Sequence, residues 1–89
     1  MQTDIQGKII SFLRVYLKKR KFDIPPDISL LEQGIIDSVA VIEIVAFLEQ
    51  TFGLTIEDEE IVPDNLDSID QMTKFVRRKL ANLSLKPTA

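Results

Sequence analysis

Apolar residues recur at helical spacing in three long stretches of this chain, and no stretch of useful length alternates with a strand's period of two. In the first stretch Ile5, Ile9, Phe12, Leu13 and Tyr16 share one side, with Lys8, Arg14 and Lys18 off it. Thr3 and Gln6 have capping-box spacing, so a helix is predicted from near Thr3 to about Arg20. In the last stretch Ile69, Met72, Phe75, Val76 and Leu80 form the stripe. Ser68 and Gln71 repeat the capping-box spacing at its start, and Arg77, Arg78 and Lys79 fall in its last turns.

The middle stretch differs. A helix is predicted from Ser38 to Phe52, with Asp37 as N-cap and Gly53 closing it. It is apolar on more than one side. Val41, Ile44, Val45, Leu48 and Phe52 make one stripe; Val39, Ile42, Glu43, Ala46, Glu49 and Gln50 make another. A surface helix of a small bundle needs only the first. The second stripe is either buried by further neighbours or an exposed docking face, and Glu43 and Glu49 favour the face.

The segments between are punctuated rather than periodic. Pro25-Pro26 excludes a continuous helix, while Ile28, Leu30 and Leu31 are too apolar for a free linker. Ser29 and Glu32 predict one short capped turn, and Gly34 a positive φ. Thr55 to Val62 is predicted as a short acidic helix anchored by Ile56 and Ile61 and ended by Pro63. The fold class is therefore all-α: a four-helix bundle with three long helices and one short one around a single core. Residues 1–82 are expected to form the domain and residues 83–89 a flexible tail.

Composition sharpens the functional range. The chain has 89 residues, 45% apolar, with no His and no Cys. That length supports one modest core. The missing residues exclude disulfides and thiolate metal sites, make a zinc site unexpected, and fit a reducing compartment. No run approaches the roughly 20 apolar residues of a membrane span. Asp4, Lys8 and Arg14 interrupt any secretory pattern, so a cytoplasmic monomer is the expectation.

The net charge of −3 conceals segregation. Residues 1–22 carry six Lys/Arg and one Asp, residues 23–70 thirteen Asp/Glu and no Lys or Arg, and residues 71–89 five Lys/Arg and no acid. Either solvated faces differ by chance, or an acidic central surface meets basic partners. An acidic middle argues against nucleic acid there. The run Lys18-Lys19-Arg20-Lys21 reads as cations at a helix C-terminus or as a site for an anionic surface.

No Ser/His or Cys/His pair is available for nucleophilic catalysis. Gly7, Gly34 and Gly53 make no phosphate loop. Glu59 and Glu60 are adjacent carboxylates on a short exposed element, a poor active site. Ser38 remains. At a helix start it faces unpaired N–H groups and a positive dipole end, which suit a phosphate-linked group. By itself Asp-Ser is an ordinary helix cap.

The wider context resembles a known family. Leu30-Leu31-Glu32-Gln33-Gly34-Ile35-Ile36-Asp37-Ser38-Val39 is similar to the phosphopantetheine attachment site of acyl carrier proteins and peptidyl carrier domains. So are Glu43, Leu48, Glu49 and Phe52, then Gly53-Leu54-Thr55-Ile56, then Pro63-Asp64-Asn65-Leu66-Asp67-Ser68-Ile69. The resemblance runs from about residue 5 to 80. It implies the same bundle, and a 4′-phosphopantetheine arm moved from coenzyme A onto Ser38 by a phosphopantetheinyl transferase. It implies that the arm carries cargo as a thioester and that Asp37 supports modification near the transferase's magnesium. It implies partner docking through Val39, Ile42, Glu43, Ala46 and Glu49, with Ile56 and Ile61 near the arm and cargo. The chain itself would be no enzyme and hold no metal.

Val39 and Ala40 depart from the Leu-acid pair that usually follows the serine in fatty-acid-synthesis carriers, and Gln50 and Thr51 replace acids common there. Gly34-Ile35-Ile36-Asp37-Ser38 looks more like discrete carriers loaded by an adenylate-forming acyl- or aminoacyl-activating ligase, which pass cargo to downstream acyl-transfer or synthase enzymes. The alternatives are a housekeeping fatty-acid carrier and an unmodified helical adaptor. A hydrolase using Ser38 would lack a base.

Overall fold

The computed structural model describes residues 4–18 and 23–85, with side chains through Asn82. It is all helical. Helix α1 spans Ile5–Tyr16, α2 Ser38–Phe52, α3 Pro63–Leu66 and α4 Ile69–Leu85, with one 3₁₀ turn at Asp58–Glu60. Three long helices and one short one match the predicted bundle. Helix α4 extends as far as Leu85.

The core is built from the expected stripes. Ile9, Leu13, Ile44, Leu48, Phe75 and Val76 are essentially solvent-free. Each such side chain contributes about 1.5–3 kcal/mol on leaving water. The long connection also packs inward, with Ile24, Leu30 and Ile36 buried. Two α2 residues outside both predicted stripes are also drawn in. Ala40 is buried, and Phe47 is half-buried with its ring stacked on Phe12 at 4.2 Å between centroids. Among the described residues no helix is long and apolar enough to cross a membrane.

Helix α2 has the predicted ends. Asp37 is its N-cap, and Gly53 closes it at φ 66°. Gly34 takes φ 69°, as expected of a turn that needs the left-handed region. Ser68 caps α4 by accepting the Gln71 amide at 3.0 Å.

Three boundaries differ from expectation. The cap of α1 is Asp4, whose Oδ1 accepts the Gly7 amide at 2.9 Å; Thr3 lies outside the described residues. A Cβ on Gly7 would come 2.0 Å from the Asp4 carboxylate, so glycine is what lets this cap close. Helix α1 also stops at Tyr16 rather than Arg20. Lys18 turns left-handed at φ 58°, with its amide donating to the Val15 carbonyl. Good helix-forming residues with no glycine gave periodicity no reason to stop there. Lys19, Arg20 and Lys21 lie outside the described residues, so the role of the basic run is left where the sequence put it.

The third difference is the predicted helix at Thr55–Val62. Only Asp58–Glu60 coils, as a 3₁₀ turn in which the Glu60 carboxylate accepts the Glu57 amide at 2.9 Å and the Glu57 carbonyl accepts the Glu60 amide at 2.9 Å. The short α-helix comes afterwards, and Pro63 begins it instead of ending one. Proline fits the first helical position because that amide has no intrahelical acceptor. Reading Pro63 only as a stop placed the short helix too early.

Candidate functional site

Asp37 is extended, at φ −122° and ψ −174°, and turns its carboxylate back onto the helix it precedes. Its Oδ1 accepts the Ala40 amide at 2.9 Å and its carbonyl accepts the Val41 amide at 3.1 Å. The Ser38 and Val39 amides find no acceptor among the described residues. They leave the positive end of a 15-residue helix beside the exposed Ser38 hydroxyl. No histidine exists to act as a base. The Asp37 carboxylate is occupied by the cap.

Ser38 opens onto a cleft of about 270 Å³. One wall is α2, through Ser38, Val41 and Ile42. The other comes from Ile61, Val62, Pro63 and Leu66, and Leu31 closes it from the long connection. Apart from the serine hydroxyl the lining side chains are apolar.

The second wall is fastened to α4. Glu60 pairs with Lys79 at 2.8 Å, Asn65 Nδ2 donates to the Glu60 carbonyl at 2.9 Å, and Arg78 donates to Asn65 Oδ1 at 3.1 Å. The hydrogen bond from Lys79, aided by the Glu57 amide, holds the Glu60 carboxyl below its ordinary range.

The remaining predicted site residues divide. Val39 and Ile42 are 66% and 59% exposed, and Glu43 and Ala46 are exposed beside them. Together they form a continuous outer face on α2. Glu49 is only half-buried into the fold, and its Oε2 accepts the Ile56 amide at 2.8 Å, which steers the chain out of α2. Ile56 is buried and does not reach that face, whereas Ile61 lines the cleft. Leu31, Val62, Pro63 and Leu66 were not singled out for the site. Leu31, Pro63 and Leu66 lay within the family-like stretches without a role of their own, and Val62 was only the end of a predicted helix.

Among the described residues no group of three or more acidic, His or Cys side chains clusters as a metal site would.

Comparison with known proteins adds a second line. The family described as "Phosphopantetheine attachment site" matches residues 7–76. The chain is 26% identical over 80 residues to "Aminoacyl carrier protein 1" of Bradyrhizobium diazoefficiens, covering 88% of each. It is 29% identical over 79 residues to "Probable acyl carrier protein PigG" of a Serratia species, covering 88% of this chain and 91% of that one. It is 26% identical over 57 residues to the "D-alanyl carrier protein" of Abiotrophia defectiva, covering 64% and 72%.

Proposed function

Since the chain belongs to the family built around a phosphopantetheine attachment site, we propose that it is a discrete carrier that holds acyl or aminoacyl cargo on an arm attached at Ser38. The observation that carries this reading is the position of Ser38. Its hydroxyl is exposed, sits at the open end of a long helix, and adjoins an apolar cleft.

The residues present suit such a group. The two free amides and the helix dipole favour a phosphate at Ser38. The cleft offers apolar shelter beside it. When bound, 4′-phosphopantetheine supplies a terminal thiol that joins cargo as a thioester, which a chain without cysteine cannot provide. Asp37 fixes the helix start and leaves the hydroxyl in water. Ser38 has no base of its own, so its proton leaves to a group that the transferase brings.

Val39, Ile42, Glu43 and Ala46 meet the partners: the phosphopantetheinyl transferase, an adenylate-forming ligase and the downstream acyl-transfer or synthase enzymes. Glu49 acts from behind that face by holding the amide of the buried Ile56, while Ile61 forms a wall of the cleft. The carrier domain is residues 1–82 and works as a cytoplasmic monomer without catalysis of its own. Val39 and Ala40 after the serine, and relatives whose names include aminoacyl and D-alanyl carriers, support a specialised role over housekeeping fatty-acid synthesis.

Intact-mass measurement tests this. After incubation with coenzyme A, magnesium and a promiscuous phosphopantetheinyl transferase, the wild type gains one arm and Ser38→Ala gains none. A wild-type mass unchanged by several active transferases overturns the carrier reading in favour of an unmodified adaptor. An arm on Ser38→Ala overturns the assignment of the serine.

A further inference from the structure

The connection from Asp23 to Asp37 contains no regular helix, yet it delivers Ser38 to one place. A residue far along the chain does much of this. Asp67 lies at the junction of α3 and α4 and receives hydrogen bonds from three consecutive residues of the connection. Its carbonyl accepts the Leu30 amide at 2.7 Å, its Oδ1 accepts the Leu31 amide at 2.9 Å, and its Oδ2 accepts the Ser29 hydroxyl.

The order passes on from there. Ser29 Oγ accepts the Glu32 amide at 3.1 Å. The Leu30 carbonyl accepts the amides of Ile35 and Ile36, at 2.9 and 3.3 Å. Ile36 is buried, and the next two residues are Asp37 and Ser38. Leu31, held by the Asp67 carboxylate, closes the cleft beside Ser38. The side chain thus holds Ser29 and Leu31 on either side of Leu30, whose own amide goes to the Asp67 main-chain carbonyl, so it borders the approach to the serine and fixes a wall of its cleft. A carboxylate suits this place because it offers two acceptor oxygens, and hydrogen bonds to a charged acceptor are the stronger ones.

We propose that Asp67 is a positioning residue for modification of Ser38. It does not touch the serine. It sets the loop that presents Asp37 and Ser38, and it holds Leu31 against the cleft. The inference rests on Ser38 being the attachment point, and it separates presentation from docking. The outer face of α2 is made by the helix itself, so loss of Asp67 leaves that face intact. A transferase therefore still binds, but it meets a serine whose approach is no longer fixed, and misplacement at a reacting atom is costly.

The experiment uses the full chain and the variants Asp67→Ala, Asp67→Asn and Ser29→Ala, at a temperature where circular dichroism shows each folded. Arm transfer is followed by intact mass against carrier concentration. Asp67→Ala should lower kcat about tenfold while KM stays within about twofold. Asp67→Asn should recover most of the loss, because its Oδ1 still accepts from Leu31 and its Nδ2 donates to Ser29 Oγ. Ser29→Ala should fall between. A second readout needs no arm: in amide proton–nitrogen spectra of the unmodified chain, the Ser38 signal should move in Asp67→Ala together with Leu31. A folded Asp67→Ala variant with wild-type kcat and an unmoved Ser38 amide overturns the inference. A wild type that takes no arm overturns the reading of Ser38 itself, so the two failures are distinct.

Discussion

Ile42 and Ile44 stand two residues apart in α2, carry the same side chain and meet opposite surroundings. Ile44 is 1% exposed and Ile42 is 59% exposed. Two residues turn a helix by about 200°, enough to take a side chain from the core to water. The inner face, with Ala40, Val45 and Leu48 around Ile44, holds the bundle together. The outer face, with Val39 beside Ile42, is left mostly in water by folding. Adjoining apolar residues that folding leaves in water suit a contact surface, which is the role proposed for them, and here Glu43 lies among them. Under the proposed function, stability and recognition are written on one helix, in the same residue types, and only direction separates them.

That separation can be broken from either side. The largest effect belongs to the inner face. Leu48→Ala should lower stability by about 2–5 kcal/mol in denaturant unfolding, through lost burial and the cavity left behind. Its folded fraction should still accept an arm at the wild-type rate. An unchanged midpoint would remove Leu48 from the core.

Ile42→Ala should do the reverse, with stability within about 0.5 kcal/mol of wild type. The KM for carrier in arm transfer should rise roughly tenfold if Ile42 is an apolar anchor. Equal KM values would break the assignment of the outer face. Glu43→Lys should slow transfer by a smaller factor, on the order of a few-fold, and the difference should shrink with added salt. A salt-independent defect would point to a damaged helix instead.

The smallest effect concerns an acid that faces inward. Lys79 holds the folded Glu60 carboxyl below its ordinary value of 4.5. Its contribution is therefore complete above that value and is lost as pH falls through the lower folded value. Both side chains are partly in water, so the contribution should stay below about 1 kcal/mol. The stability advantage of wild type over Glu60→Gln should narrow below pH 4.5; a constant difference down to acid would show that the ion pair does not sense that titration.

Much of the molecule was legible because its signals are local. Asp37 and Ala40 are three residues apart, Ser68 and Gln71 likewise, and such caps can be read from spacing alone. The two stripes of α2 were also visible, because periodicity reports that a helix has two apolar sides. It did not report which neighbours would cover which side, so Ala40 and Phe47 were missed and Phe12 gave no hint of its stacking on Phe47. Pro63 was misread for a related reason. Proline both stops one helix and starts another, and only the chain's path beyond Ile56 decides between them.

By itself the sequence determined the class of fold, the start of α2 at Ser38 and the family's attachment motif, since each lies in contacts a few residues long. The tertiary structure decided the cleft, the separate fates of Ile42 and Ile44, the inward turn of Glu49 and the convergence of Ser29, Leu30 and Leu31 on Asp67. Those bonds join residues 36 to 38 positions apart. No spacing rule spans that distance, because such partners meet only after the helices between them have packed.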